Sequence, residues 1–279
     1  MLTNFNNDTT YYCYCGQVLV HLPQSIVDHK LAPTVRIAAL VDHCGGVGAF
    51  TMLDDSQFVG TVDLRIDFLH SSNHYDELYA ESEVISSNSK FICTDVKCWN
   101  ADRSKQVAIG RLLFGVYPTP VATKSLPTDY EDVEARAESC RDQAMNIATN
   151  VIKGGHIVTT LQYKDILLGN RYLKVLHGGV VAGFLERTGQ LCAESLLHSE
   201  VNNNKAFDLP RNIDRPQNSV LDVTNLEVTY LKGAPMNTNL ICEAIVSSRT
   251  SRLIRVDLAC WNELRTLKIA AGGALFVLS

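Results

Sequence analysis

The residues best suited to chemistry begin a predicted helix in the second half of the chain: His177, Gly178 and Gly179, followed by an apolar run. Backbone N–H groups at a helix N-terminus are unpaired and lie at the positive end of the helix dipole, so they suit the negative charge that develops on a carbonyl oxygen under attack. Glycine lacks the Cβ that would keep an acyl group away from those donors. A carboxylate such as Asp42 can act as general base or nucleophile. These residue types together indicate chemistry at an acyl carbonyl.

An internal repeat shows how residues far apart in sequence can meet. Trp occurs twice, and both copies lie in a Cys-Trp-Asn tripeptide, at residues 98–100 and 260–262, an offset of 162. At the same offset, residues 61–69 align with 223–231, 91–96 with 253–258, and 108–114 with 270–276. Upstream, residues 38–42 align with 182–186 at an offset of 144. The difference of 18 residues indicates an insertion in the second half, and the polar stretch 197–219 is expected to be a surface loop.

Each half shows the same order of elements. In the first half a strand over Gln17 to Leu22 is followed by a helix from about Val35 to Phe50, with Asp42 inside a stripe of small residues. Strands are predicted near residues 61–69, 78–86, 91–99 and 107–116. Residues 130–153 are predicted to form a further amphipathic helix. Prolines near residue 118 place the boundary, which gives one repeat over residues 1–118 and a second over 119–279.

The segment from His177 to Glu186 resembles the His-Gly-Gly helix opening of the acyl-CoA thioesterases of the phenylacetate-degradation type, which have the hotdog fold. Residues 61–69 resemble the strand that follows in that family, and the segments ending at Phe114 and Phe276 resemble its closing strand. The resemblance implies an α+β fold, a double hotdog with two helices packed on a continuous antiparallel β-sheet. It also implies hydrolysis of an acyl-CoA thioester to the free acid and CoA, without a cofactor.

In this family two subunits share each site, and in a tandem chain the two halves take their place. The resemblance implies that Gly178 and Gly179 pair with Asp42 and Thr61, which gives one site with every part. The catalytic residues expected on this basis are Asp42, Thr61, Asn170, His177, Gly178 and Gly179. Asn170 is carried over with a register difference of one residue.

The opposite pairing is expected to be a degenerate second site. It places Glu186 and Val223 opposite Pro33-Thr34-Val35, which lacks the glycine donors. The chain is therefore expected to bind about one acyl-CoA.

Structural alternatives exist for each of these residues. Asp42 could be a hydrogen-bonded structural group, Thr61 a β-former at a strand start, and His177 a residue that shapes the helix start. Glu186 is expected to be a polar remnant. Arg249 and Arg252 lie near a predicted hairpin, where they could bind the phosphates of coenzyme A as a substrate-binding pair or simply face solvent. His70 and His74 have no third ligand nearby in sequence, so no metal is predicted.

The composition is globular: 46% of the 279 residues are hydrophobic, 20% are charged, and the net charge is −5. The mild acidity and the lack of a basic run argue against nucleic acid as a partner. No apolar stretch is long enough for a membrane span and no secretory signal is recognised, so a cytoplasmic protein without a membrane partner is expected. Nine scattered cysteines indicate neither a disulfide framework nor a zinc ribbon. A homodimer of double hotdogs is expected.

A second function is compatible with the same residues. A non-catalytic acyl-CoA or acyl-carrier binding hotdog protein would keep the fold without the hydrolysis. A hotdog dehydratase is disfavoured, because the chain lacks the Asp-x4-His pattern of that kind.

Overall fold

A computed structural model describes residues 10–14, 17–22, 33–54, 56–70, 77–119, 147–170, 174–201 and 221–278. The elements of the first half are β1 (Thr10–Tyr14), β2 (Gln17–Leu22), α1 (Pro33–Phe50), β3 (Gln57–Phe68), β4 (Leu78–Ser87), β5 (Phe91–Asn100) and β6 (Gln106–Pro118). Those of the second half are β7 (Ile147–Lys153), β8 (His156–Leu161), a 3-10 turn (Asp165–Leu167), β9 (Leu168–Asn170), β10 (Val175–Leu176), α2 (Gly178–Val201), β11 (Leu221–Tyr230), β12 (Leu240–Arg249), β13 (Leu253–Asn262) and β14 (Lys268–Leu278).

Twelve strands form one antiparallel sheet in the order β1-β2-β4-β5-β6-β3-β11-β14-β13-β12-β8-β7. Each half contributes six neighbouring strands in the same relative order, so a pseudo-two-fold axis passes through the centre of the sheet. There β3 pairs with β11, from Asp67 opposite Asn225 to Asp63 opposite Thr229. The Thr229 hydroxyl donates to Asp63 Oδ2 across this seam (2.9 Å). The continuous sheet of a double hotdog, expected from the sequence, is confirmed.

The strands form because one face of each is apolar. In β5, Ile92, Val96 and Cys98 are buried. Phe91 at the start of the strand and Lys97 between Val96 and Cys98 are exposed. Such alternation with a period of two residues is typical of a sheet covered on one side. The core lies between the sheet and the helices, and its largest fully buried side chains include Phe184, Phe276, Ile37, Leu64, Ile66 and Leu226.

The helices α1 and α2 pack against the sheet and against each other. A Cβ on Gly179 would be 2.5 Å from the Cα of Ala39, and one on Gly183 would be 2.6 Å from Cγ1 of Val35. The two backbones therefore approach more closely than larger side chains would allow. Because α1 belongs to the first half and α2 to the second, this contact sets the distance between the functional groups of the two halves.

Two predicted elements are wrong in part. The helix expected over 130–153 is contradicted at residues 147–153, which form the edge strand β7; residues 130–146 lie outside the described residues. β7 turns into β8 through Gly154 and Gly155, and Gly155 has φ +76°, a conformation that glycine adopts readily. The pairing of β7 with β8 therefore determines the structure of residues 147–153, although their periodicity favours a helix.

The loop expected over 197–219 is contradicted at residues 197–201, which complete α2; residues 202–219 lie outside the described part. The helix continues there because Leu196 and Leu197 extend its apolar side, and because His198 Nδ1 bonds to the Glu194 carbonyl (2.9 Å) within it. The division into residues 1–118 and 119–279 falls at the end of β6 and stays a prediction. None of the described helices has the length and apolar character needed to cross a membrane.

The helix contact predicts opposite effects for two glycine-to-alanine changes. Gly179→Ala should destabilise the protein, because its Cβ meets backbone of α1, and overpacking of this kind typically costs about 1–3 kcal/mol. Gly46→Ala should be neutral or stabilising, because its Cβ would be 3.7 Å from the nearest atom of Phe114 and alanine favours a helix by about 1 kcal/mol. Thermal unfolding measures both, at roughly 2–4 °C for each kcal/mol. Equal midpoints for the two variants would contradict the close contact.

Candidate active site

The carboxylate of Asp42 is held at both oxygens by groups from other elements. Asp42 lies in the middle of α1 and is 5% exposed. Its Oδ1 accepts a hydrogen bond from the Thr61 hydroxyl on β3 (2.7 Å), and its Oδ2 accepts one from the backbone N–H of Gly179 on α2 (2.7 Å). Elements from both halves of the chain therefore converge on one carboxylate.

Gly178, the first residue of α2, faces this carboxylate directly. A Cβ at Gly178 would be 2.9 Å from Oδ2 and 3.1 Å from Oδ1 of Asp42, so a side chain there would displace the carboxylate. No residue in the described part of the chain accepts a hydrogen bond from the Gly178 N–H. This N–H lies at the positive end of the dipole of a 24-residue helix. A donor with no acceptor in the described part of the chain and a carboxylate are thus neighbours, at a position where a Cβ would crowd the carboxylate.

The peptide group between Gly178 and Gly179 is also held from the sheet. The Tyr230 hydroxyl, at the end of β11, donates to the Gly178 carbonyl (2.7 Å). Burial raises the pKa of the Tyr230 hydroxyl well above its usual value, and the charge of Asp42 acts in the same direction. The hydroxyl therefore keeps its proton and remains a donor at neutral pH.

Two histidines flank Asp42. His177 Nδ1 is 3.1 Å from Asp42 Oδ2 and accepts a hydrogen bond from the Gly179 N–H (3.0 Å). The Gly179 N–H therefore lies within hydrogen-bonding distance of both the carboxylate and the imidazole. The His43 ring lies 6.0 Å from that of His177, measured between centroids. Burial, followed by the charge of His177, lowers the pKa of His43 to about 4, so His43 is neutral at pH 7.

A cleft of about 600 Å³ opens beside these groups. Walls from α1, β3, β6, the start of α2 and the segment after β11 enclose it. Apolar side chains that line it include Val47, Phe50, Val59, Phe114, Val181 and Leu231. Among the lining residues, Lys232 is the one lysine or arginine. The cleft can hold an apolar group beside Asp42 and an anionic group near its rim.

The opposite pairing of the halves is present with different residues. Glu186, which aligns with Asp42, is 1% exposed and accepts a hydrogen bond from the Thr34 hydroxyl (2.8 Å). Thr34 aligns with Gly178, so a side chain fills the space that glycine leaves open in the other pairing. Val223 aligns with Thr61 and offers no hydroxyl. Burial raises the pKa of Glu186 to about 7, although the hydrogen bond from Thr34 opposes this shift.

The structure does not bring Arg249 and Arg252 to Asp42. They flank the turn between β12 and β13, where Arg249 lies opposite Ile254. Across the neighbouring strands, Ile254 lies opposite Phe276, and Phe276 lies opposite Val223. The two arginines are therefore at the end of the second-half sheet that contains Val223, on the side of the opposite pairing, which we call the Glu186 pairing. Neither arginine lines the cleft.

By contrast, the backbone of Asn170 lies close to the site. It ends β9, opposite Val175 on β10, and a Cβ on the preceding Gly169 would be 2.5 Å from the Cα of His177. β9 therefore packs directly against the residue that precedes α2. The side chain of Asn170 lies outside the described residues, as does His74.

Three residues of the site were missed from the sequence: His43, Tyr230 and Lys232. Tyr230 had a usable signal, because it aligns with Phe68 and differs from it by the hydroxyl that bonds Gly178. His43 follows Asp42 directly, but its burial depends on tertiary packing. Lys232 follows the end of β11 and belongs to no motif.

Known structures resemble the whole chain at low sequence identity. A tesB protein from Mycobacterium avium subs paratuberculosis has a TM-score of 0.63 and 10% identity, with 96% of both chains covered. Acyl-CoA thioesterase II TesB2 from Mycobacterium marinum has a TM-score of 0.57 and 9% identity, covering 100% of this chain and 96% of that one. An acyl-ACP thioesterase from Bacteroides thetaiotaomicron has a TM-score of 0.51 and 11% identity, covering 94% and 98%. At such identities the likeness establishes the fold.

The sequence profile of one family matches both halves of the chain. The search of curated protein sequences finds no match to this chain. The profile described as the Thioesterase superfamily, however, matches residues 34–107 and 173–268, more than half of the chain. The first segment includes Asp42 and Thr61, and the second includes His177 and the glycine pair. With two hotdog halves and this match in each of them, the chain belongs to the thioesterase superfamily.

Proposed function

We propose that the chain hydrolyses an acyl-CoA thioester at the single complete pairing of its two halves. The observation that carries this proposal is the position of the Asp42 carboxylate next to the Gly178 N–H, which has no acceptor among the described residues and lies at the start of a helix from the other half. Thioester hydrolysis needs these two groups together, because one activates the attacking oxygen and the other stabilises the charge on the carbonyl oxygen.

In the proposed reaction the thioester carbonyl oxygen accepts a hydrogen bond from the Gly178 N–H. Asp42 removes a proton from water as the water oxygen attacks the carbonyl carbon, or attacks that carbon itself. The negative charge on the tetrahedral intermediate is stabilised by the N–H and by the helix dipole. The C–S bond then breaks, the thiolate takes a proton, and the free acid forms; on the covalent route, water releases it from Asp42. Thr61 orients the carboxylate through Oδ1.

The apolar lining of the cleft supports an apolar acyl group. Phe50 and Leu231 are each 49% exposed, although large apolar side chains at a protein surface lose favourable burial. Both line the cleft together with the buried Phe114. An acyl chain in contact with these residues would bury apolar surface of its own, and this would contribute to binding.

The carrier of the acyl group is proposed to be coenzyme A. Among the structural neighbours, one is an acyl-CoA thioesterase and another is an acyl-ACP thioesterase. Lys232 lies where the cleft opens to solvent, and an ammonium group there suits a phosphate of the carrier. Arg249 and Arg252 lie at the other pairing and have no part in this proposal.

A non-catalytic acyl-CoA or acyl-carrier binding protein is the alternative function. One observation favours it: both Asp42 oxygens are engaged, so the carboxylate could serve only to cap α2. Release of free thiol from a panel of acyl-CoA thioesters separates a hydrolase from a binding protein.

The two carboxylates should respond differently to removal of their charge. Asp42→Asn keeps the shape of the side chain but loses its basicity, so kcat should fall by about 10² to 10⁴ while ligand affinity stays within about tenfold. Glu186→Gln should leave kcat within about threefold, because Thr34 blocks the donor position opposite it. Thiol release gives the rates and calorimetry the affinity, after circular dichroism shows both variants folded. A dead Glu186→Gln beside an active Asp42→Asn would exchange the roles of the two pairings.

The contribution of Lys232 should depend on the phosphates of the substrate. Lys232→Gln should raise KM for an acyl-CoA by about fivefold, because one ion pair at an exposed site is lost. It should leave kcat/KM unchanged for the N-acetylcysteamine thioester of the same acid, which has no phosphate. Lys97→Gln, at an exposed position of β5, is the matched control and should change neither substrate. An equal loss with both substrates would show that Lys232 acts on the cleft rather than on the phosphate.

The buried Glu186 should make the stability of the protein depend on pH. Its pKa is raised from 4.5 to about 7 in the folded protein. The folded state therefore holds this proton more tightly than the unfolded state, so the stabilising contribution is complete below pH 4.5 and is lost as the pH rises to about 7. Urea unfolding of the wild type and of Glu186→Gln between pH 4.5 and 7.5 should show a steeper decline for the wild type. Parallel curves would mean that Glu186 does not titrate in this range.

A further inference from the structure

One chain of hydrogen bonds links the sheet to the proposed catalytic carboxylate. The Tyr230 hydroxyl donates to the Gly178 carbonyl (2.7 Å), and the N–H of the same peptide group, which belongs to Gly179, donates to Asp42 Oδ2 (2.7 Å). Thr61 donates to the other oxygen of Asp42 (2.7 Å). The carboxylate is therefore fixed at one oxygen by β3 directly and at the other by β11 through a peptide group.

This peptide group needs to be held, because it joins two glycines. Neither residue has a Cβ, so rotation of the peptide plane meets less steric resistance than in any other residue pair. A rotated peptide would turn the Gly179 N–H away from Asp42 and would leave Oδ2 without its donor. A hydrogen bond to the carbonyl end of a peptide also polarises its N–H end and strengthens the bond made there.

The two halves of the chain differ at this position. Tyr230 in β11 aligns with Phe68 in β3, which has the same ring without the hydroxyl. Phe68 belongs to the same half as Thr34, and the Thr34 side chain itself donates to Glu186 (2.8 Å). A side-chain donor needs no support from a tyrosine. The hydroxyl is thus present at the pairing where a Gly-Gly peptide supplies the donor and missing where a threonine does.

We infer that Tyr230 is a positioning residue for thioester hydrolysis, which fixes and polarises the Gly178–Gly179 peptide and so orients Asp42 Oδ2. The inference rests on the proposed function for its kinetic consequence, while the hydrogen-bond chain itself has a consequence that does not depend on hydrolysis. The Gly179 amide proton should report the loss of the Tyr230 hydroxyl in either case.

The kinetic test is Tyr230→Phe, which removes one oxygen atom and keeps the ring. We expect kcat for acyl-CoA hydrolysis to fall about tenfold, as for loss of one hydrogen bond in a network, with KM within about twofold. Tyr163→Phe is the matched control, since the Tyr163 hydroxyl donates to Asp165 (2.8 Å) away from Asp42. Its kcat should equal that of the wild type. A kcat within twofold of wild type in Tyr230→Phe would overturn the inference.

The second test uses the Gly179 amide proton in protein labelled with ¹⁵N-glycine. Tyr230→Phe should move its resonance upfield and speed its exchange with solvent, and Tyr163→Phe should do neither. Chain with 3-fluorotyrosine placed at residue 230 keeps both ring and donor, so it folds even if the phenylalanine variant does not. Its more acidic hydroxyl should move the Gly179 resonance downfield, and an unchanged resonance would overturn the inference. A wild type that hydrolyses no acyl-CoA would refute the proposed function alone, because this measurement would still decide the role of Tyr230.

Discussion

The hydrogen bond from the Gly179 N–H to the Asp42 carboxylate is the interaction on which the site depends. Its two partners come from different halves and are 137 positions apart in the chain. Such a bond tolerates a donor–acceptor error of a few tenths of an ångström. The seam between β3 and β11 sets the register of the two halves, and the contact of Gly179 with Ala39 sets the separation of their helices. The site is therefore a product of the sheet seam and of small residues on both helices.

The same pseudo-symmetry creates the Glu186 pairing, in which the carboxylate has different hydrogen-bond donors. A carboxylate at this depth loses its hydration, and one hydrogen bond from Thr34 does not fully replace it, so the pKa of Glu186 rises. Asp42 is nearly as buried but has donors at both oxygens. Two carboxylates at equivalent positions thus differ in the number of donors that face them. This difference fits a structural role for Glu186 and a chemical one for Asp42.

The sequence predicts the fold well, and it predicts which groups of the two halves lie close together where the repeat supplies information. The offsets of 162 and 144 align β3 with β11 and α1 with α2. Together with the resemblance to a family whose sites are shared between two subunits, this alignment predicts that Asp42 meets the glycine pair across the halves. The offsets do not predict which hairpin lies near which helix start. Arg249 and Arg252 lie in the same end row as Val223, so they accompany the strand position that lacks the hydroxyl. The hairpin after β4 accompanies Thr61 instead, as Phe91 lies opposite Gly115 and Gly115 opposite Gly60.

The residues that sequence analysis missed owe their positions to strand ends and burial. β11 begins near the Glu186 pairing and ends at the glycine pair, so Tyr230 and Lys232 reach the cleft only because this strand spans both. His43 is half-buried and its ring lies 6.0 Å from that of His177 in the other half, a contact that no local pattern encodes. Residues 147–153 form the edge strand β7, although the periodicity over residues 130–153 predicts a helix, because the Gly154-Gly155 turn pairs them with β8. Contacts remote in sequence thus place Tyr230 and His43, whereas a local turn decides the form of β7.

Gly178 explains why one pairing keeps the features of a site and the other does not. In the proposed reaction Gly178 offers its N–H to the ligand. Its missing Cβ also leaves room for the Asp42 carboxylate, whose oxygens are about 3 Å from where that Cβ would lie. Thr34 has a side chain at the equivalent position, and its hydroxyl donates directly to the Glu186 carboxylate. This hydrogen bond offsets part of the cost of burying Glu186. A single residue position can therefore convert one of two equivalent sites into part of the core while the other, with glycine at 178, remains open.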